Sequence, residues 1–341
     1  PTTPAKNLLY RAALPILAPR SRGQMTHHVF GHPLTTLPNY ERILAKHHVF
    51  GASLLLQDGA NCALCDTSTA NPEHLAQENT LYRVASITKM ATALVTLRCI
   101  DNGLFALDSE AAFLLPDGEK APALSGVTVR HLLCHTSGLR DLPMLDSCLK
   151  EGKPYTELLR QPEIRACAPG QQLIYSNFGF GLLGCILEQQ TGLCIEPLFQ
   201  KMLFRPLHMR ATLNASMLNE AEIMPITRVL PYRAGQELRV TALGRHPLQK
   251  PNPLCHYGHT AGAMYTDGRS VLQMLTLIYQ RGTMDETRLI GESLMQEMTR
   301  RQSATPTRTY GLGLVILNRP EISPRQLLGH QGFAYGCVDG A

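Results

Sequence analysis

The sequence has no run of five or six basic residues and no nucleic-acid-binding motif. Its formal net charge of +5 over 341 residues is too mild to mark a polyanion as partner. No stretch approaches the ~18 uninterrupted apolar residues of a membrane helix, so no membrane span is expected. There is no internal repeat and no low-complexity segment, which excludes a solenoid or array. Charged residues are few, at 17%, but hydrophobic ones reach 44%, an ordinary globular balance that excludes a disordered chain. A clean signal-peptide plan is also missing, because the apolar pieces of residues 1–24 are broken by Arg11, Pro15 and Pro19. A cytoplasmic location is therefore expected, with an exported one open should a leader have been removed. The first residue is Pro1 and not Met, so a missing or processed start is expected.

Cysteine is plentiful, with ten in the chain. In 341 residues that number does not describe a small disulfide scaffold. Cys99 and Cys185 lie inside apolar helical patterns, so reduced and buried cysteines are expected. Cys62-x-x-Cys65 lies in a turn-like stretch, and no second pair follows at zinc spacing. Cys255, His256 and His259 form the weakest alternative, a zinc site. No metal and no cofactor is expected.

The length allows one large core or two smaller ones. Residues 37–48 read as a short helix, 49–57 as an apolar strand, and Asp58-Gly59 as a hairpin turn. A helical run starts near Ser86, with Ile87, Met90, Ala91, Leu94 and Val95 on one face and Gly103 as its stop. Helical patterns cover 129–134, 177–190, 195–203, 268–281 and 291–301, with Asn177 a candidate cap and Gly192 a candidate stop. Residues 325–338 suit a strand. Strands at both ends with helices between them predict an α/β (α+β) fold: an antiparallel sheet with flanking helices built from both chain ends, carrying an inserted helical domain. The expected division is an extension over 1–36, a sheet domain over 37–85 and 223–341, and a helical domain over 86–222.

Three short elements carry chemistry. In Ser86-Ile87-Thr88-Lys89 a serine hydroxyl, inert at neutral pH without a base, has a lysine one helical turn away. That pattern alone arises about once by chance in such a chain. Ser147-Cys148-Leu149-Lys150 repeats it among Pro143, Asp146 and Gly152, and reads as the decoy. Tyr175-Ser176-Asn177 supplies a phenol that can shuttle protons and an amide that can bind both lysine and substrate. A buried tyrosine before a capping asparagine would look the same. His330-Gln331-Gly332 offers a residue for a substrate carboxylate and a glycine that would let substrate lie against the strand. His256-Tyr257-Gly258 matches as well but precedes a small-residue turn, so His330 is preferred.

In this order and spacing the three elements resemble the class C β-lactamase and penicillin-binding-protein superfamily. The flanks agree: Leu81-Tyr82-Arg83-Val84-Ala85 before Ser86, His135-Thr136-Ser137-Gly138-Leu139, Phe178-Gly179-Phe180, and Phe204-Arg205-Pro206-Leu207. The likeness runs over about residues 37–336. It implies a serine hydrolase in which Ser86 forms an acyl-enzyme, Lys89 and Tyr175 share the proton work, and Asn177 orients an amide or ester. The backbone N–H groups of Ser86 and Phe333 would form the oxyanion hole, and His135 would be structural. The resemblance implies a small molecule or short peptide as substrate and gives no oligomeric state. It departs in two ways. His330 stands where lactamases carry lysine, as in certain D-alanyl-D-alanine carboxypeptidases, D-aminopeptidases and esterases. Phe333 stands where a hydroxyl is usual. Both weaken carboxylate recognition, so a peptidase or esterase is expected ahead of a β-lactamase proper. A non-catalytic scaffold or binding relative is the rival of another class. Only eight residues follow Phe333, where the family has two more strands and a helix, so a C-terminally incomplete fragment is expected.

Overall fold

The computed structural model describes residues 24–31, 51–59, 61–68, 79–224, 227–230, 233–237, 248–305, 309–321, 323–334 and 337–341. The run after Ser86 forms α1 (Thr88–Asp101), entered through the 3-10 turn Ala85–Ile87. The apolar pattern suggested one buried face, but α1 is buried on nearly every side from Thr88 to Cys99. Its polar residues allow this because they bond inside the protein. Thr92 donates to Thr88 O and Thr260 O, and Thr96 to Thr92 O. A helix with no wet face belongs in the centre of a core.

Around it stand α2 (Val129–Leu133), α3 (Leu145–Lys150), α4 (Asn177–Thr191), α5 (Ile195–Phe199), α6 (Gly268–Tyr279) and α7 (Glu292–Thr299). All but α3 meet expected helices within a few residues at each end; α3, which carries Ser147 and Lys150, is a short helix that the sequence reading did not expect. The expected helix over 37–48 lies outside the described residues. Thr128 and His131 cap each other's backbone at the start of α2. At α4 the cap is Ser176, not Asn177: Ser176 Oγ accepts from Gly179 N–H at 2.9 Å. Asn177 is thereby the first helical residue, and its side chain turns elsewhere. Gly192, with φ at +67°, closes α4 as expected. No single described helix is long and apolar enough to cross a membrane.

Every strand ladder among the described residues is antiparallel. β1 (Gln24–Gly31), β2 (Gly51–Asp58) and β3 (Asn61–Ser68) form one sheet in the order β1-β3-β2, with the turn at Asp58-Gly59. The strand β1 falls where only an extension was expected. Cys62 and Cys65 lie on β3 and not in a turn. β4 (Tyr82–Arg83), β5 (Ala211–Thr212) and β6 (Tyr265–Thr266) form a short ladder in the order β4-β6-β5 that leads into the Ser86 turn. β7 (Ser303–Ala304), β8 (Thr309–Tyr310), β9 (Val315–Leu317) and β10 (Leu327–Gly329) run in sequence order. The strand expected over 325–338 is a hairpin: β11 (Gln331–Ala334) turns back on β12 (Cys337–Gly340). The fold is thus mixed α/β with antiparallel sheets and helices packed around α1. Among the described side chains, Cys99, Cys134, Cys148, Cys185 and Cys194 are free and buried, as expected.

Two features of α4 hold the 252–262 segment in place. Its glycine face receives that segment closely: a methyl group on Gly181 would lie 1.8 Å from Tyr257 O, and one on Gly184 2.7 Å from Thr260 Oγ1. At its far end the buried Glu188 accepts from Asn252 N–H at 2.6 Å and from Ile195 N–H at 2.9 Å, with His256 Nδ1 at 2.7 Å. Gly181→Ala must therefore push a backbone carbonyl away. Overpacking of this kind costs ~1–3 kcal/mol. A fall in the melting temperature, read by differential scanning calorimetry, is the expected result. An unchanged melting temperature would show that this contact is not tight.

Candidate active site

The residue before Ser86 sets the turn. Ala85 has φ at +43°, a left-handed conformation that a non-glycine residue rarely adopts. The turn is braced from several directions. Ile87 N–H donates to Val84 O at 3.0 Å, and Val84 N–H to Met264 O at 3.1 Å. Thr88 Oγ1 donates to Ala85 O at 2.5 Å and accepts from Met264 N–H at 3.1 Å. The strand β11 packs against it, and a methyl group on Gly332 would lie 2.5 Å from Val84 O. The glycine is thus needed by the Ser86 turn. Its expected role, leaving room for substrate, does not describe where its bare face points.

Ser86 lies half-buried at the floor of a cleft of about 420 Å³. Two side chains reach its oxygen: Lys89 Nζ donates to Ser86 Oγ at 3.1 Å, and Tyr175 OH donates at 2.9 Å. Lys89 is fully buried and donates twice more, to Asn177 Oδ1 at 2.8 Å and Ala261 O at 2.6 Å. Its amine also stands 4.9 Å from the Tyr175 ring centre and 5.5 Å from that of Phe180, within reach of both π-faces. Burial pushes the Lys89 ammonium down from 10.5 to about 7, against the pull of the Asp141 carboxylate.

Asn177 is oriented from behind. Its Nδ2 donates to Asp141 Oδ2 at 2.7 Å, so its Oδ1 faces Lys89. Asp141 also accepts from Asn177 N–H at 3.0 Å, Phe178 N–H at 2.8 Å and Ser176 Oγ at 3.2 Å. Asp141 did not stand out in the sequence. It follows His135-Thr136-Ser137-Gly138 within one short loop, and only the fold brings it to the start of α4. His135 serves that loop: its Nδ1 accepts from Ser176 N–H at 3.2 Å, and its ring lies 4.3 Å from that of Tyr175. Burial, with Lys89 and His330 nearby, holds His135 well below its usual pKa and therefore neutral.

His330 is buried at the cleft wall, its ring centre 6.4 Å from that of Tyr175. Its Nδ1 lies 2.7 Å from Gln331 O, a carbonyl, so that nitrogen carries the proton. Phe333 is exposed at the rim. Tyr310, which the sequence did not single out, lines the cleft and stacks edge-on against His135 at 5.2 Å. The structure thus gathers Ser86, Lys89, Tyr175, Asn177, His330 and Phe333 around one cleft and sets Gly332 behind its floor. The two decoys lie apart from the Ser86 cluster. Ser147 is exposed and donates to Met144 O, while His256 faces Glu188.

The metal alternative takes a different form from the one expected. Cys255 Sγ donates to Gly152 O at 3.4 Å and does not join His256. Ligand atoms of Glu188, Cys194 and His256 lie within 4.8 Å of one another. Both Glu188 oxygens are already occupied by backbone donors and His256, which makes this knot a closed hydrogen-bond hub.

This chain is similar to known proteins. The family model described as Beta-lactamase matches residues 39–340. Monacolin J acid methylbutanoyltransferase from Aspergillus terreus is 32% identical over 157 residues, covering 38% of this chain and 37% of that enzyme. The D-alanyl-D-alanine-carboxypeptidase/endopeptidase AmpH of Escherichia coli K12 is 30% identical over 146 residues, covering 40% of this chain and 37% of AmpH. The chain therefore spans well under half the length of these relatives. The octameric penicillin-binding protein homologue from Pyrococcus abyssi has the same fold, with a TM-score of 0.69 and 20% identity over 86% of this chain and 66% of its own.

Lys89 also couples stability to pH. Between about 7 and 10.5 the native amine holds fewer protons than the same amine in the unfolded chain. Stability from this group therefore rises with pH across that window. Urea titrations at pH 7 and pH 9 should show the wild type gaining relative to Lys89→Met as pH rises. A difference that does not change with pH would contradict the lowered pKa.

Proposed function

Since the chain belongs to the β-lactamase family, whose members are serine hydrolases and acyl-transferring relatives, we propose that it cleaves an ester or amide through an acyl-enzyme on Ser86. One observation carries this reading. Of the three bonds made by Lys89 Nζ, two go to acceptor-only groups, Asn177 Oδ1 and Ala261 O. When the amine loses a proton, it keeps those two donations. Its lone pair then faces the third partner, Ser86 Oγ. A neutral lysine held this way is a general base aimed at one hydroxyl.

Lys89 takes the Ser86 proton as the oxygen attacks the substrate carbonyl. The tetrahedral oxyanion is received by the backbone N–H groups of Ser86 and Phe333, an arrangement worth ~3–4 kcal/mol in such holes. Tyr175, in contact with Ser86 Oγ, gives its phenolic proton to the leaving group. As that bond breaks, Tyr175 takes back the proton held by Lys89, which leaves Lys89 neutral again. Water, or an alcohol in the transferase mode, then attacks the acyl-enzyme by the reverse path. Asn177 spends one N–H on Asp141 and has one left for the substrate.

The cleft wall supports a neutral or apolar substrate. Leu145, Leu149, Val315, Leu317, Tyr257 and Phe333 line it. The cation at its edge, Arg83, is buried and donates to Gly262 O at 3.3 Å, and Asp146 adds negative charge at the rim. A carboxylate is therefore poorly matched, which favours esters and peptide amides over β-lactams.

A fluorophosphonate probe should label the wild type covalently, and Ser86→Ala should lose the label. Ser86→Ala should also lower ester hydrolysis at least ~1,000-fold, as loss of a nucleophile does elsewhere. A folded wild type that takes no label would overturn the acyl-enzyme. The pair His330→Lys with Phe333→Thr should raise turnover of carboxylate-bearing substrates relative to neutral p-nitrophenyl esters by ~10-fold, the scale of one charged hydrogen bond. An unchanged ratio would place specificity elsewhere.

A further inference from the structure

We infer that Asp141 is a positioning residue of this site: its carboxylate fixes which end of the Asn177 amide faces Lys89 and lends its negative charge to the amine behind Ser86. The inference rests on the acylation chemistry proposed above and adds a residue to it.

An asparagine amide is nearly symmetric in shape, and packing alone does not decide which end is oxygen. Here chemistry decides. Asp141 Oδ2 can only accept, so the NH₂ end must turn toward it, at 2.7 Å. The oxygen end must then face Lys89, at 2.8 Å. The carboxylate is itself locked in place. Its two oxygens receive four hydrogen bonds, from Ser176 Oγ, Asn177 N–H, Asn177 Nδ2 and Phe178 N–H. Two of these are backbone groups in the first turn of α4, where the helix dipole favours an anion. The Tyr175-Ser176-Asn177 run is thus clamped to the 135–141 loop by one carboxylate.

The same carboxylate acts on charge. The titratable groups around Lys89 come from several elements: Tyr175 just before α4, Asp141 and His135 on the 135–141 loop, His330 just before β11, and His259 on the segment that carries Ala261. Behind the floor, beside Gly332, the Asp339 carboxylate of β12 feels the charge of Arg83. Glu188 lies toward the other end of α4 and is bound to His256. Among these groups Asp141 is the carboxylate that bears on the lysine, and it favours the charged amine against burial.

The test uses the full chain with Asp141→Asn and Asp141→Glu. The ionisation of Lys89 is followed by NMR of ¹³Cε-labelled lysine, and acylation by a fluorophosphonate is followed over pH. A base works once it has lost its proton, so the acylation rate rises through the lysine pKa. Removing the negative charge eases that loss. The Asp141→Asn profile should therefore shift to lower pH, and the lysine NMR titration should shift with it. Acylation at the plateau should fall at least ~10-fold, because an asparagine at 141 no longer forces the Asn177 amide to one orientation. Asp141→Glu keeps the charge and should keep the midpoint, with a lower plateau. Should Asp141→Asn fail to fold, Asp141→Glu still decides: its midpoint must stay at the wild-type value. A lower melting temperature with an unmoved midpoint in Asp141→Asn would make the residue purely structural and overturn the inference. Loss of labelling in the wild type would instead refute the acyl-enzyme, and the NMR titration would still judge Asp141.

Discussion

A lysine amine with no solvent around it organises this molecule. Lys89 is buried, and a buried cation needs acceptors on every proton. Three acceptors surround it: a serine oxygen on the turn that leads into its own helix, an amide oxygen from the start of α4, and a carbonyl from the 252–262 segment. Each must be delivered by a different part of the chain. Ala261 reaches the amine because the glycine face of α4 lets Tyr257 and Thr260 approach closely, and because Glu188 pins Asn252 and His256 at the far end of the helix. Asn177 reaches it because Ser176 takes the capping role and leaves the neighbouring side chain free to turn inward. The same burial pushes the amine toward neutrality, the state that the proposed general-base role requires.

The parts of this arrangement that depend on near neighbours were legible in the sequence. Ser86 and Lys89 are one helical turn apart, and a helix after Ser86 was written in its apolar pattern. The stop at Gly192, the hairpin at Asp58-Gly59 and the helices around 129–134, 177–190, 268–281 and 291–301 were legible for the same reason. What failed depended on distant partners. Asp141 looks like any loop aspartate until α4 comes to rest beside it. The cap of α4 moved by one residue because Ser and Asn are both good caps, and only the demand from Lys89 for the asparagine oxygen separates them. The strand β1 is held by its pairing with β3 and not by a pattern of its own. The strand expected over 325–338 reverses after Ala334, and the ends of that hairpin are tied by bonds between His330 and Ala341.

The three motifs are individually weak, and their order in the chain made them specific. The structure gives that observation a physical basis, because each motif satisfies a need created by another. The Ser86 turn carries a left-handed alanine, a conformation that costs ~1–3 kcal/mol unless its surroundings enforce it. Part of that enforcement is β11, which can approach Val84 and Ala85 only because residue 332 has no side chain. The glycine of the His-x-Gly element therefore supports the serine of the Ser-x-x-Lys element, while His330 and Phe333 on either side of it face the cleft. The lysine in turn needs the amide of the Tyr-x-Asn element, and that amide needs Asp141 to choose its direction. A chance copy such as Ser147 with Lys150 creates the spacing without these dependencies, and it sits exposed on a short helix with its hydroxyl bonded to its own backbone. Co-occurrence is specific because the site is a closed chain of requirements: strain at Ala85, space at Gly332, acceptors at Lys89 and orientation at Asn177.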